Sequence, residues 1–475
     1  MTTALLPLAA DPPKINEAAT AFMLVAASMV LLMTPGLALF YGGMTRAKSV
    51  LNMIMMSFGA LGVVGVIYVL WGYSMSFGNL QDGSSDLAGI IANPFHLFGL
   101  NGVLGPDGSR LIDVFGVDVF IPETVFVGFQ LTFAVITVAL ISGAVADRVK
   151  FSTWLVFSGV WATIVYFPIA HMVWGGGLLS GAENGLSAKI FGAADGVAKV
   201  LPIDFAGGTV VHINAGVAGL VLALIVGRRL GFGRVPMRPH NVPVVMLGAG
   251  LLWFGWFGFN AGSELAADGL ASTVWLNTTA ATCAAMLGWL VVEKVRDGHA
   301  TSIGGASGVV AGLVAITPAC GALSPLGSLV LGAVAGGLSA LAVGLKYRFG
   351  YDDSLDVVGV HLVAGLWGTV GAGLLSTTTG LFYGKGVEQT VIQVVIALAS
   401  LLLSGVLTTV IGLALKATLG WRVDTDVESD GIDQSEHGES AYELSGFGGG
   451  RFGSAPAVST ASSTSPSKTP EGASA

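Results

Sequence analysis

Residues 204–216 read Asp204-Phe-Ala-Gly-Gly-Thr-Val-Val-His212-Ile-Asn-Ala-Gly216, and residues 353–365 read Asp353-Ser-Leu-Asp-Val-Val-Gly-Val-His361-Leu-Val-Ala-Gly365. Each stretch sets a His eight residues after an Asp and follows it with small residues. The flanks are apolar on both sides. An ionisable group inside a membrane-spanning segment is costly and by default marks function. Whether these flanks cross a membrane is therefore the first question.

Composition answers it. The 475 residues are 53% hydrophobic and only 11% charged, whereas soluble domains carry roughly 25% charged residues. So few charges leave too little polar surface for a soluble protein of this length, which excludes a large soluble enzyme. The 70 glycines are about twice the usual share, as expected where membrane helices approach closely through small residues. The net charge of −8 comes mainly from the C-terminus: from Trp421 onward there are nine acids and three bases, which leaves −2 for the body. No basic stripe suggests nucleic acid. Cys283 and Cys320 fall in apolar segments and read as small buried hydrophobes. The first twenty residues lack the basic n-region of a cleavable signal.

Working outward, stretches of about 20 mainly apolar residues occur at 21–43, 50–78, 122–145, 151–178, 206–227, 242–262, 272–292, 303–322, 326–345, 357–378 and 389–418. Basic residues follow the odd-numbered spans: 16 of the 21 fall on one side of the bundle, and five (Lys14, Arg110, Lys189, Lys199 and Lys385) on the other. The positive-inside rule then sets the N-terminus outside and the C-terminus in the cytoplasm. His212 lies on the fifth span and His361 on the tenth. Five helices per half is an odd number, so two similar halves have opposite topology, a transporter architecture with its site at the repeat interface. The expected fold is an all-α polytopic membrane protein of eleven transmembrane helices: inverted five-helix repeats plus one extra C-terminal helix. Its divisions are an extracellular segment (1–20), a transmembrane domain (21–420, with repeats at about 21–230 and 240–380 and the last helix at 389–418), a cytoplasmic segment (421–445) and a disordered Ser/Thr/Gly/Pro-rich tail (446–475). Residues 431–444 are less degenerate and are expected to fold onto a partner or onto the cytoplasmic loops.

Before any resemblance is considered, the residues leave alternatives open. A lone membrane His often only bonds a neighbouring helix; two on symmetry-related helices favour a shared site. Facing imidazoles are able to share one proton, one ring donating and the other accepting. Burial penalises their charge, so the pair is expected to be neutral at rest. Asp204 suits a cap on the fifth span or an electrostatic attractor for a cation, and Thr209 lies one turn before His212. Asp353 and Asp356 read as structural or cytoplasmic. Asn260 reads as a backbone-satisfying residue at a helix break. No P-loop, paired metal ligands or nucleophile elbow is present. The chain is therefore not expected to be an enzyme, and no metal or cofactor is expected.

Five motifs then carry a resemblance: Pro35-Gly-Leu-Ala-Leu-Phe-Tyr-Gly-Gly43, Ala170-His-Met-Val-Trp-Gly-Gly-Gly177, Asp204 to Asn214, Gly255-Trp-Phe-Gly-Phe-Asn-Ala-Gly-Ser263 and Asp356-Val-Val-Gly-Val-His361. Together, from about Ala21 to Leu444, the chain resembles the ammonium transporter family (Amt/Mep/Rh), of the bacterial Amt type. The resemblance implies an outer recruitment site of Phe133, Trp174 and Ser263, a phenyl gate of Phe133 and Phe259, and a pore of His212 and His361 with Trp256 in its wall. It implies a regulatory tail at Gly431, Asp433, His437, Gly438, Glu439 and Tyr442. It implies a homotrimer in the lipid bilayer of the cell membrane, and a P-II-type signalling protein as a partner at the cytoplasmic face. The function it implies is selective ammonium transport: the ion deprotonates near the gate, ammonia crosses the apolar pore, and the proton travels separately. The alternatives are a passive ammonia gas channel and an ammonium sensor.

Overall fold

The computed structural model describes residues 13–80, 86–105 and 108–442. Ten helices among them are long and apolar enough to cross a bilayer: α1 (Glu17–Met44), α2 (Val50–Phe77), α3 (Glu123–Val145), α4 (Phe151–Trp174), α5 (Gly208–Val226), α6 (Val242–Gly262), α7 (Gly269–Asp297), α9 (Pro325–Phe349), α10 (Val358–Leu375) and α11 (Glu388–Thr418). The shorter α8 (Ser302–Ile316) completes the series. The expected outer segment 1–20 already contains the first turn of α1. The expected tail at 446–475 lies outside the described residues, as do residues 1–12. Residues 442–475 form a separate unit, of which Tyr442 alone is described.

The eighth span differs most from expectation. Instead of running to residue 322, its helix stops at Ile316 and the chain continues as turns. Fifteen residues rise only about 22 Å, short of a hydrocarbon core of about 30 Å. All residues from 304 to 320 are buried, so α8 is sheathed by protein rather than lipid. Irregular backbone is tolerated at membrane depth only in such a setting. Here Asn277 Nδ2 donates to Cys320 O (2.9 Å) and Leu323 O (2.8 Å), and Phe205 N donates to Pro318 O.

Helix neighbours repeat between the halves. The pairs α1–α3, α2–α3 and α2–α4 have counterparts in α6–α8, α7–α8 and α7–α9, while α1 packs on α6 and α5 on α10. Glycines permit the last crossing. A Cβ on Gly216 would lie 2.5 Å from Leu362 N, and one on Gly365 would lie 3.1 Å from His212 Cβ. Each glycine sits four residues after its half's histidine, so the small-residue runs of the two stretches are where α5 and α10 meet.

The end of the bundle opposite the start of α5 collects the basic residues. Fully buried Arg148 donates to the carbonyls of Ala144, Ala146, Gly227 and Asp352 and to Ser354 Oγ. Arg229 bridges Asp147 (3.2 Å) and Asp352 (2.8 Å). Residues after α11 form two short helices, α12 (Thr425–Asp430) and α13 (Ile432–His437), and these fold back onto the chain's own helix ends. Asp433 accepts from Leu51 N (3.0 Å) and Asn52 N (2.8 Å) at the start of α2, and Glu436 accepts from Phe151 N (2.9 Å) at the start of α4. Carboxylates at helix N-termini satisfy free N–H groups and complement the helix dipole.

Candidate functional site

The two Asp residues that open the stretches are caps. Asp204 accepts from Gly207 N (2.9 Å), Gly208 N (2.5 Å), Thr209 N (2.9 Å), Val210 N (3.4 Å) and the Thr209 hydroxyl. Gly207 adopts φ +114° to make this turn, a left-handed value that suits glycine. Asp353 accepts from Val357 N (3.1 Å) and Val358 N (2.8 Å), and Asp356 pairs with Lys346 Nζ (2.7 Å). After each cap the helix opens as a wide π turn, Gly208–Ile213 in α5 and Val358–Val363 in α10. Such turns concentrate at functional sites. The histidine lies within each one.

The turns bring His212 and His361 together at 5.6 Å between ring centroids, with planes 20° apart. The rings stack, and no hydrogen bond joins them. The expected sharing of a proton directly between facing nitrogens is therefore not seen, since both Nδ1 atoms are without a partner among the described residues. Both His212 nitrogens and His361 Nδ1 are buried with no partner among the described residues. Buried polar groups are usually hydrogen-bonded; of these three nitrogens, one on His212 is a donor and the other an acceptor in the neutral ring, so the pair offers a small polar molecule both kinds of group.

Aromatic rings close the column above the pair. Trp256 stacks on His212 at 5.4 Å and Phe259 lies 6.1 Å from it. Phe259 and Phe133 stack at 4.0 Å with planes 16° apart, a closed phenyl pair. The cavity beside the histidines is otherwise lined by aliphatic side chains such as Leu37, Ile136, Leu140 and Val310. Its volume is about 10 Å³, at the lower limit for one water, roughly 10–15 Å³.

Beyond Phe133 the column widens into a vestibule of about 520 Å³. Trp174 stands edge-on to Phe133 at 5.9 Å, and its Nε1 donates to Asp204 O at 2.9 Å. Ser263 Oγ donates to Phe259 O (2.8 Å), which leaves its lone pairs free to accept. Phe133, Trp174, Ser263, Phe259, Trp256, His212 and His361 thus form one continuous column, with Asp204 and Thr209 beside its wide end. The basic end of the bundle holds a second cavity of about 440 Å³ near Arg229, Lys346 and Asp356.

Several contributors escaped the sequence reading. Thr317 Oγ1 accepts the Trp256 N–H at 2.8 Å and lies 3.2 Å from Asn260 Oδ1; Asn260 Nδ2 donates to Thr278 Oγ1 at 3.0 Å. Asn260 therefore belongs to a side-chain network that holds the pore tryptophan, and not to a helix break, because α6 continues past it to Gly262. Nothing in the local pattern marked Thr317. Glu264 and Gln130 also line the vestibule. Glu264 follows Ser263 directly, so that motif was the signal for it. Burial and the neighbouring Asp268 push the Glu264 carboxyl up to about 7.

The tail residues occupy α13 and its surroundings. Gly431 turns at φ +121° ahead of Asp433, and Gly438 ends the helix at φ +69°. His437 Nε2 lies 3.0 Å from Asn52 Oδ1 and its ring packs edge-on to Phe151 at 5.0 Å. Glu439 is exposed. Tyr442 is 42% exposed.

Residues 21–442 match the family model described as the Ammonium Transporter Family. The chain belongs to this ammonium transporter family. It is 53% identical over 444 residues to an ammonium transporter of Mycobacterium bovis, covering 90% of each chain. It is 47% identical to one of Aquifex aeolicus, covering 92% of this chain and 96% of that one. Among solved structures it resembles Saccharomyces cerevisiae Mep2 (TM-score 0.73, 31% identity, 91% and 92% covered) and a protein titled Sensor Amt Protein (TM-score 0.75, 25% identity, 88% and 98% covered). Membership in the transporter family fits a chain with ten long apolar helices around a histidine-lined column.

Proposed function

We propose that this chain is a selective ammonium transporter of the cell membrane. The observation that carries the reading is the closed Phe133–Phe259 stack directly above two histidines whose buried nitrogens lack partners. Ammonium and potassium share charge and approximate size, so charge alone does not separate them. Ammonium differs in having N–H donors and a removable proton. The Trp174 indole attracts a cation by about 0.5–2 kcal/mol, and the Ser263 lone pairs accept an N–H. The phenyl stack has no room for a hydrated ion. Past it, a column with space for about one water penalises any charge but admits a small neutral molecule.

In this reading ammonium gives up its proton at the gate. Ammonia then moves past Trp256 to His212 and His361, each of which accepts one N–H on its unprotonated ring nitrogen. The proton crosses by way of the imidazoles and transient water. Because the rings stack without a mutual hydrogen bond, that transfer needs a bridging molecule between them. Asp204 caps α5 and at the same time holds negative charge beside the vestibule. We assign the vestibule to the outside and the basic end to the cytoplasm, following the distribution of basic residues, and read the two halves as inverted repeats. From the family we carry over a homotrimer with one pore per subunit, and a regulatory role for Gly431 to Tyr442 with a P-II-type signalling protein as partner.

The test is the transient current in a supported membrane on a pulse of ammonium, methylammonium or potassium. Selective transport gives current with the first two and none with potassium. Ammonia flux without current favours a passive gas channel. A second reading, a sensor, draws on the likeness to the protein titled Sensor Amt Protein. It predicts ammonium binding with neither current nor flux, and no growth rescue of transporter-deficient cells on low ammonium.

A further inference from the structure

Two charged residues line the vestibule, Asp204 and Glu264, and both are acidic. Their situations differ. The Asp204 oxygens are engaged by four backbone N–H groups and the Thr209 hydroxyl. The Glu264 carboxylate, half-buried, has no ion pair or hydrogen bond to any described residue. Glu264 also borders a smaller adjoining cavity, whose other charged lining residues are Asp113 and Asp268. Among the described residues no cation lines either cavity. Asp268 is already committed as the cap of α7, accepting from Leu270 N and Ala271 N at 2.9 Å each, and Asp113 accepts from Val117 N and Asp118 N. Glu264 is thus the uncommitted acid of the group. A second observation comes from α3. Gln130 is more than nine-tenths buried, lines the same vestibule, and its Oε1 has no partner. A neutral acceptor, itself buried, and a charged one thus stand without a partner among the described residues on two side chains that line one space, with Ser263 next to Glu264 in the chain.

We propose that Glu264 is a charged acceptor for the incoming cation at the rim of the vestibule, working with Gln130 Oε1 to capture ammonium ahead of Trp174 and Phe133. The assignment rests on the transport reading above and adds to it a residue that sets apparent affinity. A carboxylate gives a monovalent cation charge as well as a hydrogen-bond acceptor, which Ser263 does not. Burial, with the neighbouring Asp268 adding to it, pushes the carboxyl up to about 7. Below that pH it is neutral and contributes little capture, and above it the full charge acts. Capture therefore strengthens as pH rises through about 7.

The experiment uses full-length protein, wild type, Glu264→Gln and Glu264→Asp, in supported-membrane recordings with ammonium pulses at pH 6 and pH 8. At pH 8 the half-saturating concentration of Glu264→Gln is expected to be about fivefold above wild type, the scale of one unit charge acting over several ångström in a largely hydrated space. Glu264→Asp is expected to stay near wild type. At pH 6 the gap between wild type and Glu264→Gln is expected to close. Equal half-saturation at pH 8, or a gap of the same size at both pH values, overturns the proposal, since a purely structural role gives no such pH profile. If wild type carries no ammonium current, the transport reading fails on its own, and Glu264 is then decided by calorimetric titration of the same proteins with methylammonium. Weaker binding by Glu264→Gln at pH 8 alone upholds the site, and equal binding overturns it.

Discussion

Asp204 and His212 are separated by eight residues because of how a cap and a wide turn add up. The carboxylate takes the N–H groups three to six residues on, and the π turn that follows delivers the histidine into the column. Asp353, Val357, Val358 and His361 repeat the arrangement. The spacing and the Asp204 cap were therefore legible in the chain, while the π turn that follows the cap was not, since it leaves no hydrophobic period. Asp204→Ala would remove the acceptor of four backbone N–H groups and of the Thr209 hydroxyl. It is expected to lower stability by about 1–2 kcal/mol, the usual cost of losing a cap, read as an earlier thermal transition of the solubilised protein; unchanged stability would argue against capping as its main role. Thr317→Val would leave the Trp256 N–H buried without an acceptor, at a cost of about 1–3 kcal/mol. Transport is expected to fall along with stability, because Trp256 is the wall against which His212 stacks.

At the scale of elements, hydropathy marked ten of the long helices to within a few residues but overran α8. The reason is physical. An apolar run facing lipid and one sheathed by protein have the same composition, and only the second is free to stop short of the membrane surface. Close packing was equally hidden in the abundance of glycine. On α9, a Cβ on Gly332 would lie 2.1 Å from Ala281 O and one on Gly336 would lie 1.9 Å from Ala285 O. The two positions are four residues apart on each helix, so α7 and α9 touch backbone to backbone along one stripe. Gly336→Ala is expected to force the helices apart and cost about 1–3 kcal/mol, seen as loss of folded protein on heating in detergent. Gly337→Ala makes the matched control. Its Cβ would meet Val292 at an ordinary 3.5 Å, and little change is expected. Equal losses in both would remove the stripe as the cause.

For the whole molecule, basic residues predicted one polar end, and the structure gathers Arg148, Arg229 and Lys346 there in buried pairs and carbonyl cages. The folding-back of residues 425–437 was only half visible. Residues 431–444 were expected to fold onto a partner or onto the cytoplasmic loops, and the structure sets Asp433 and Glu436 at the starts of α2 and α4. Asp433→Ala is expected to release α13, read as faster limited proteolysis after Trp421 with the transmembrane body intact; an unchanged cleavage rate would show that Glu436 suffices. Most of the column was legible because its residues sit in long motifs, with Glu264 directly after one of them, whereas Thr317 and Gln130 join it only through the three-dimensional packing of α3, α6 and α8. The central claim is that two stacked histidines below a phenyl gate separate ammonium from potassium. Its most direct test is the supported-membrane current of the His212→Ala, His361→Ala double variant with ammonium and with potassium. The account predicts that ammonium current disappears or that potassium begins to carry current as well, and a double variant with wild-type ammonium current and no potassium current would contradict it.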